Sequence, residues 1–366
     1  MRHIPSRLTV LALMPLSIAS MLGCSGSSSG ANSGVGGDTT TGGSLASDGT
    51  STSGGSADGG AKATGGTKNS GGTLGPGSNQ ASGGNANGGA TGGNAATGGV
   101  SSGTSPACPG VRPDATNTGV PPGAALTIVN QDVTITQDGT VIDAQDIHGF
   151  VVVKASHVTI RRSIVRGGMA TANGDGIRVA SGTDILIEDT EVALAYPSAY
   201  LDGVAGSNFT VRRANIHGGV DGMKLGSNST VECSYIHDLA SFDSDPNQGG
   251  GPTHNDAIQI LSGSTIRVTN NQLLASIDQN AAIQVTQDFG AVTDLIIDGN
   301  WADGGGCTFN FSHNGGTSLA LTATNNRFGR NSYYDCPILK STQTTLTQSG
   351  NVWDDNGTPV PTQTHD

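Results

Sequence analysis

The chain has 366 residues, 58 of them glycine, only 4% aromatic, and a formal net charge of −12. A chain of that sign repels nucleic acid, whose binding depends on Lys and Arg neutralising phosphates, and no basic stripe with interleaved aromatics occurs. Composition also shifts sharply along the chain, which excludes one globular body from end to end.

Residues 1–24, MRHIPSRLTVLALMPLSIASMLGC, begin with Arg2 and Arg7, continue through a mostly apolar core from Leu8 to Met21, and end at Leu22-Gly23-Cys24. This reads as an export signal, too short and wrongly flanked for a transmembrane span. It resembles the bacterial lipoprotein signal, whose Leu-x-Gly-Cys box is matched by Met21-Leu22-Gly23-Cys24 except at its first position. The resemblance implies that Cys24 becomes the lipid-bearing first residue of the mature chain. The protein is then exported and held at the outer membrane or cell surface through lipid alone.

Residues 25–105 contain no Phe, Trp or Tyr and are almost entirely Gly, Ser, Thr, Ala and Asn. Such a chain cannot bury enough apolar surface to offset its ordering entropy, so a flexible tether is expected. As a random coil it spans roughly 50 Å on average.

The remaining residues, 106–366, are expected to form one folded domain. Two arginines in the signal, and three Asp against two Lys in the tether, leave −13 of the formal charge on this part. Its apolar residues alternate in short runs separated by Ser-, Gly- or Asn-rich turns, as in VVVKASHVTIRRSIV and IQILSGSTIRVTNNQLL, and helical periodicity is absent. The runs start at Phe150, Ile177, Val204, Met223, Ile258, Ile283, Phe309 and Ile338, with steps of 27, 27, 19, 35, 25, 26 and 29. A second register runs through Asn271, Asn300, Asn326 and Asn351. Self-similarity at this period, with strands and no helices, predicts a solenoid whose coils stack into a continuous core.

Over about 145–355 this pattern resembles the right-handed parallel β-helix proteins, the architecture of pectate lyases and related polysaccharide lyases and hydrolases. The resemblance implies an all-β fold with the asparagines stacked inside a tight bend and bonded to the backbone. It also implies an extracellular or cell-surface polysaccharide as partner. The expected state is a monomer.

Apart from Cys24, four cysteines remain, in keeping with an exported chain. Cys307 and Cys336 lie 29 residues apart, about one coil, so stacking brings them within disulfide reach. Cys108 and Cys233 are the complementary pair, tying the start of the domain to its body. Three pairings are open from the sequence.

Superposed units place Asp175, Asp202, Asp221 and Asp256 in one column, each two residues before an apolar start. One residue after that start come Arg178, Ala205, Lys224, Gln259 and Gln284, of opposite parity and therefore facing outward. A surface ladder of carboxylates beside a ladder of cations and amides is expected, with coils about 4.8 Å apart. His254, two residues before Asp256, is placed at the rim of the same face, beside Lys224 and Asp221 of the preceding coil.

Stacked carboxylates raise one another's pKa, and a hard cation with oxygen ligands relieves that repulsion. Calcium is the expected cofactor, held by Asp175, Asp202, Asp221 and Asp256. The competing reading is that Asp175-Gly176, Asp202-Gly203 and Asp221-Gly222 are plain turn dipeptides.

The leading functional expectation is a calcium-assisted polysaccharide lyase that cleaves a uronate-containing polymer by β-elimination. Lys224 serves as base, Arg178 holds a substrate carboxylate and His254 donates the proton. Gln259, Gln284, Tyr196 and Tyr200 are expected to contact substrate. A polysaccharide hydrolase is an alternative, because Asp221 and Asp256 can meet the carboxyl spacing that reaction needs. The ladder nevertheless lacks the Asp-Asp pair and Gly-His-Gly of the β-helix polygalacturonases, and Asp354-Asp355 lies outside it. A third alternative is a non-catalytic carbohydrate-binding or adhesin-like surface protein. The loop LASFDSDPNQGGGPT, Leu239 to Thr253, accounts for the 35-residue step and is expected to project from the binding face.

Overall fold

The structure is a computed structural model that describes residues 108–276, 280–311 and 318–365. The export signal, Cys24 and the Gly-rich tether lie outside the described residues. Among those described, the only regular element that is not a strand is a 3₁₀ turn at Pro246–Gln248.

The strands form three sheets of ten, ten and nine members. The first runs from Thr127–Val129 to Val352–Trp353, the second from Val133–Ile135 to Thr362–His365, and the third from Val141–Asp143 to Thr344–Ser349. The chain visits them in that order, so each strand pairs with the strand one coil later, always in parallel. This is the expected all-β parallel β-helix solenoid. Parallel strands joined by a crossover take the right-handed sense, because the strand twist favours it.

In the second sheet Ile177, Val204, Met223, Ile258, Ile283, Phe309 and Ile338 stand in one register column. All seven are fully buried. The first member of the predicted series is displaced by one residue: Val151, not Phe150, pairs with Ile177. Phe150 is only partly buried and packs against the edge of the core. Burying one such side chain contributes about 1.5–3 kcal/mol, and the column repeats that gain at every coil. The solenoid also runs further at both ends than the sequence pattern indicated.

The corner between the third and first sheets is a tight bend. One residue per coil there adopts positive φ, among them Arg162 (48°), Arg213 (51°), Cys233 (54°), Asn270 (55°) and Asn325 (54°). The residue that follows turns inward and bonds to the next coil. The Asn271 backbone N–H donates to Asn300 Oδ1 at 3.0 Å, Asn300 to Asn326 Oδ1 at 3.0 Å, and Asn326 to Asn351 Oδ1 at 3.1 Å. Their amide nitrogens donate back to carbonyls, Asn300 to Val268 at 2.9 Å and Asn326 to Ile297 at 3.1 Å. The asparagine stack is the structural ladder that the resemblance implied.

Both disulfides take the anticipated pairing. Cys307 and Cys336 join adjacent coils with Cα atoms 4.6 Å apart, and Cys108 joins Cys233 at 5.6 Å. The second bond fixes the start of the domain against the first sheet. Arg112 continues that contact, donating to Gln272 at 3.0 Å and to Asp354 at 2.9 Å.

Candidate functional site

The aspartate column forms in the second sheet, in register: Asp175 pairs with Asp202, and Met223 with Ile258 carries Asp221 alongside Asp256. Asp175-Gly176 and Asp202-Gly203 are therefore not turns but parts of strands, while Asp221-Gly222 immediately precedes one. At each, strict alternation breaks. A Cβ on Gly176 would stand 2.9 Å from Val192 Cγ1, and one on Gly203 2.8 Å from Ile216 Cγ2, so these positions point into the core. The next residues, Ile177 and Val204, are buried in the core as well. Two successive inward residues re-aim the chain as a bulge does. This puts Asp175 and Arg178, three apart, on one face, where they bond at 2.9 Å.

The predicted surface ladder is corrected on one point: it is covered. Asp256 is 0% exposed, Asp221 2% and Asp175 6%. The Asp202 and Asp221 side chains serve the next coil. Asp202 Oδ1 accepts the Asp221 backbone N–H at 3.1 Å, and Asp221 Oδ1 accepts that of Asp256 at 2.8 Å. The cations of the neighbouring column compensate the charge. Ala205 leaves the Asp202 coil without one, and Lys224 of the next coil reaches Asp202 Oδ2 at 2.6 Å and Asp221 Oδ2 at 3.1 Å. Gln259 donates to Asp256 Oδ2 at 3.2 Å, while Asp256 Oδ1 is buried with no partner.

Burial, and then the Asp202 charge, push the Asp221 carboxyl up to about 7 against the pull of Lys224. Burial and Asp221 push Asp256 well above the usual carboxylate range. Burial and Asp202 also raise Asp175, with Arg178 opposing. Burial works against the Lys224 charge, but Asp221 and Asp202 outweigh it and raise its pKa. An amine held in that way keeps its proton at neutral pH, which is the opposite of what a general base needs.

The cover is the long loop between Ile236 and Asp256. Asn255 is fully buried and donates to the carbonyls of Val220 (3.1 Å) and Ala240. Asp245 caps the 3₁₀ turn by accepting from Asn247 at 2.8 Å. Asn247 then pairs with Asn173, amide to amide, at 3.0 and 3.2 Å. That contact carries the loop back across the coils of Asp256, Asp221 and Asp202 to the coil of Asp175.

Loop and sheet enclose a groove of about 480 Å³. Asp175, Arg178, Asp202, Asp221, Lys224 and Gln259 line its floor, with Tyr200 and His254 along the loop side. Leu261, Ser262 and Phe289 form the opposite lip. Burial lowers the His254 pKa, with Asp245 opposing, so its imidazole is neutral at pH 7. His254 and Lys224 do line one groove, but Asp256 lies beneath the floor. Tyr196 is 57% exposed and is not among the lining residues. Gln284 is buried, its Oε1 without a partner, and likewise does not line the groove. His217 and His237 belong to the first sheet, where they stack 5.1 Å apart.

Calcium takes six to eight oxygen ligands. In this site the oxygens of Asp202 and Asp221 that face the groove are occupied by the Lys224 ammonium, and that of Asp175 by Arg178. Among the described residues no group of three or more His, Cys, Asp or Glu side chains is disposed to hold a metal ion. The residues present therefore do not fit the expected cation.

Sequence reasoning missed Asn173, Asn255 and Phe289. None has a periodic signal: Asn173 and Asn255 act by reaching other coils, and Phe289 is a lone aromatic in a turn.

No protein-family model matches the chain, and no curated protein does. A solved structure that does match is a trypsin-treated variant of QnrB1, a plasmid-mediated fluoroquinolone resistance protein. It has 11% sequence identity and a TM-score of 0.21, over 63% of this chain and 92% of that chain. A similarity of that size carries no argument about fold or activity.

Proposed function

We propose that this is an exported, lipid-anchored protein whose β-helix holds an extracellular polysaccharide in the groove of the second sheet. One observation carries the reading: a walled groove runs across successive coils, Arg178, Lys224 and Gln259 lie along its floor in repeat register, and His254 faces it from the loop. Four coils at about 4.8 Å spacing give about 14 Å from first to last, a length suited to a polymer segment. The floor is built for rigidity. Its acids are bonded to backbone and to cations, so the donors presented to a ligand are held in place. Cys24 and the Gly-rich tether give such a domain both its attachment and its reach.

A second reading is hydrolysis, favoured by the state of Asp221. Burial and the Asp202 charge raise the Asp221 carboxyl to about 7, the direction a general acid requires. The Asp202 and Asp221 oxygens contact the same Lys224 nitrogen, which keeps them within about 6 Å of each other, near the separation of retaining glycosidases. Elimination with Lys224 as base and calcium as partner draws no support from this geometry, because the carboxylates that would bind the metal hold the lysine proton.

Titration calorimetry of the full chain against soluble neutral and acidic polysaccharides tests the reading. Binding without product supports a holding module, and new reducing ends without unsaturated uronate absorbance support hydrolysis. New unsaturated ends restore elimination. Failure to bind across a broad panel overturns the proposal.

A further inference from the structure

Phe289 is the most exposed aromatic lining the groove, at 79%. Singly exposed apolar residues are commonplace and need no explanation by themselves. What sets this one apart is how it is held. Its backbone N–H donates to Leu261 of the preceding coil at 3.0 Å. Gly290 N–H closes the turn on the Gln287 carbonyl at 3.3 Å, and Val292 N–H donates to Gln287 Oε1 at 2.9 Å. Thr286 bonds Asp288 at 2.8 Å. A pinned turn thus presents an uncovered phenyl ring at the lip of a polar groove, and a contact residue whose backbone is already fixed loses less entropy on binding.

The second observation is the charge state of the floor. Arg178 is bonded to Asp175, and Lys224 to Asp202 and Asp221, so neither cation is free to neutralise an incoming anion. The domain as a whole carries −13 from the charges counted above. A polyanion entering this groove meets compensated charges inside and net repulsion around it, while a hydroxyl-rich neutral chain meets fixed donors and acceptors.

We infer that the groove takes a neutral polysaccharide and that Phe289 is the platform on which one sugar ring lays its apolar face. The inference rests on the polysaccharide-binding reading and adds to it the charge class of the ligand and a contact residue. A pyranose carries hydroxyls around its edge and C–H groups on its faces. The electron-rich face of an aromatic ring matches those C–H groups while the ring edge hydroxyls reach the amide and charged floor. The ring is almost fully hydrated when free, so covering it also removes apolar surface from water.

The test uses the full chain, Phe289→Ala and Phe289→Tyr, titrated calorimetrically with soluble xylan, mannan, galactan and mixed β-glucan, and with polygalacturonate and alginate. Wild type is expected to bind at least one neutral polymer, with little change in affinity between low and high salt. Phe289→Ala is expected to raise that Kd about tenfold, the loss of roughly half of a buried phenyl's contribution. Phe289→Tyr is expected to stay within about threefold, and thermal melting of all three proteins to coincide. Binding confined to the polyuronates overturns the inference and leaves the polysaccharide reading standing. Neutral binding that Phe289→Ala does not weaken overturns it equally. Absence of binding to every polymer overturns both.

Discussion

At Gly222 a side chain has no room: a Cβ would collide with Ile236 and with the carbonyl of Ala257 in the next coil. Like constraints at Gly176 and Gly203 explain why glycine follows three of the aspartates. Burial makes Asp221 and Asp256 release their protons at higher pH than exposed carboxyls do. Asp221 and Asp256 bind their protons more tightly folded than unfolded, where the ordinary value is 3.8. Their contribution to stability is complete below about pH 4 and declines as pH rises, through about 7 for Asp221. Asp256→Asn removes the ionisation and keeps the shape and the acceptor for Gln259. It is expected to melt with wild type near pH 4 and roughly 3 °C or more above it near pH 8, read by calorimetry across that range. A difference that shrinks toward high pH counts against a protonated Asp256. The asparagine stack has the opposite chemistry, with no charge and every polar atom partnered. Asn300→Ala leaves the Asn271 N–H without its acceptor, removes one of the two acceptors of the Asn271 amide and takes the Asn300 donor from the Val268 carbonyl, all in a fully buried bend. A loss of about 3 kcal/mol in denaturant unfolding is expected.

Among the elements, strands and corners differed in how plainly the sequence announced them. The second-sheet strands were legible because one buried face per strand forces an apolar residue into a fixed column, and six of the seven predicted steps survive in the register. Corners were legible only where their positive φ is taken by Asn or Gly, as at Asn270, Gly299, Asn325 and Gly350. The same conformation at Arg162, Arg213 and Cys233 has no sequence signal, since tertiary packing imposes it on residues that do not favour it. The loop before Asp256 was legible as an insertion but not as a lid, because its closure depends on Asn247 meeting Asn173, 74 residues away. The disulfides give an element-level prediction. Cys307 and Cys336 close a 29-residue span between neighbouring coils. The Cys307→Ser, Cys336→Ser double variant is expected to lose about 3 kcal/mol in unfolding free energy by the chain-entropy argument. A loss well under 1 kcal/mol would mean that stacking alone fixes those two coils.

On the scale of the whole molecule, a solenoid of nearest-neighbour coils offers a long face, and one insertion turns part of that face into a groove. Attachment is a separate matter, resting on residues 1–105. If Cys24 carries lipid, wild type partitions with membranes and its maturation is blocked by globomycin. Cys24→Ser is expected to leave the processed protein in the soluble fraction, followed by detergent phase separation and mass spectrometry. A soluble, unlipidated wild-type protein would remove the anchor and leave the β-helix and its groove untouched.

By itself the sequence determined the repeat, the asparagine stack and the alignment of Asp175, Asp202, Asp221 and Asp256. These follow from local periodicity, and a solenoid converts sequence period directly into spatial register. Tertiary structure alone decided what the aspartates are. Parity counting cannot see that Gly176 and Ile177, and again Gly203 and Val204, both face the core, which is what puts Asp175 and Asp202 on the groove side. Nor can spacing show that Lys224 reaches two carboxylates of different coils and is fixed as a cation, or that a loop buries Asp256. Ionisation, ion pairing and cover depend on which groups from distant segments share a volume, and the one-dimensional period holds no record of that.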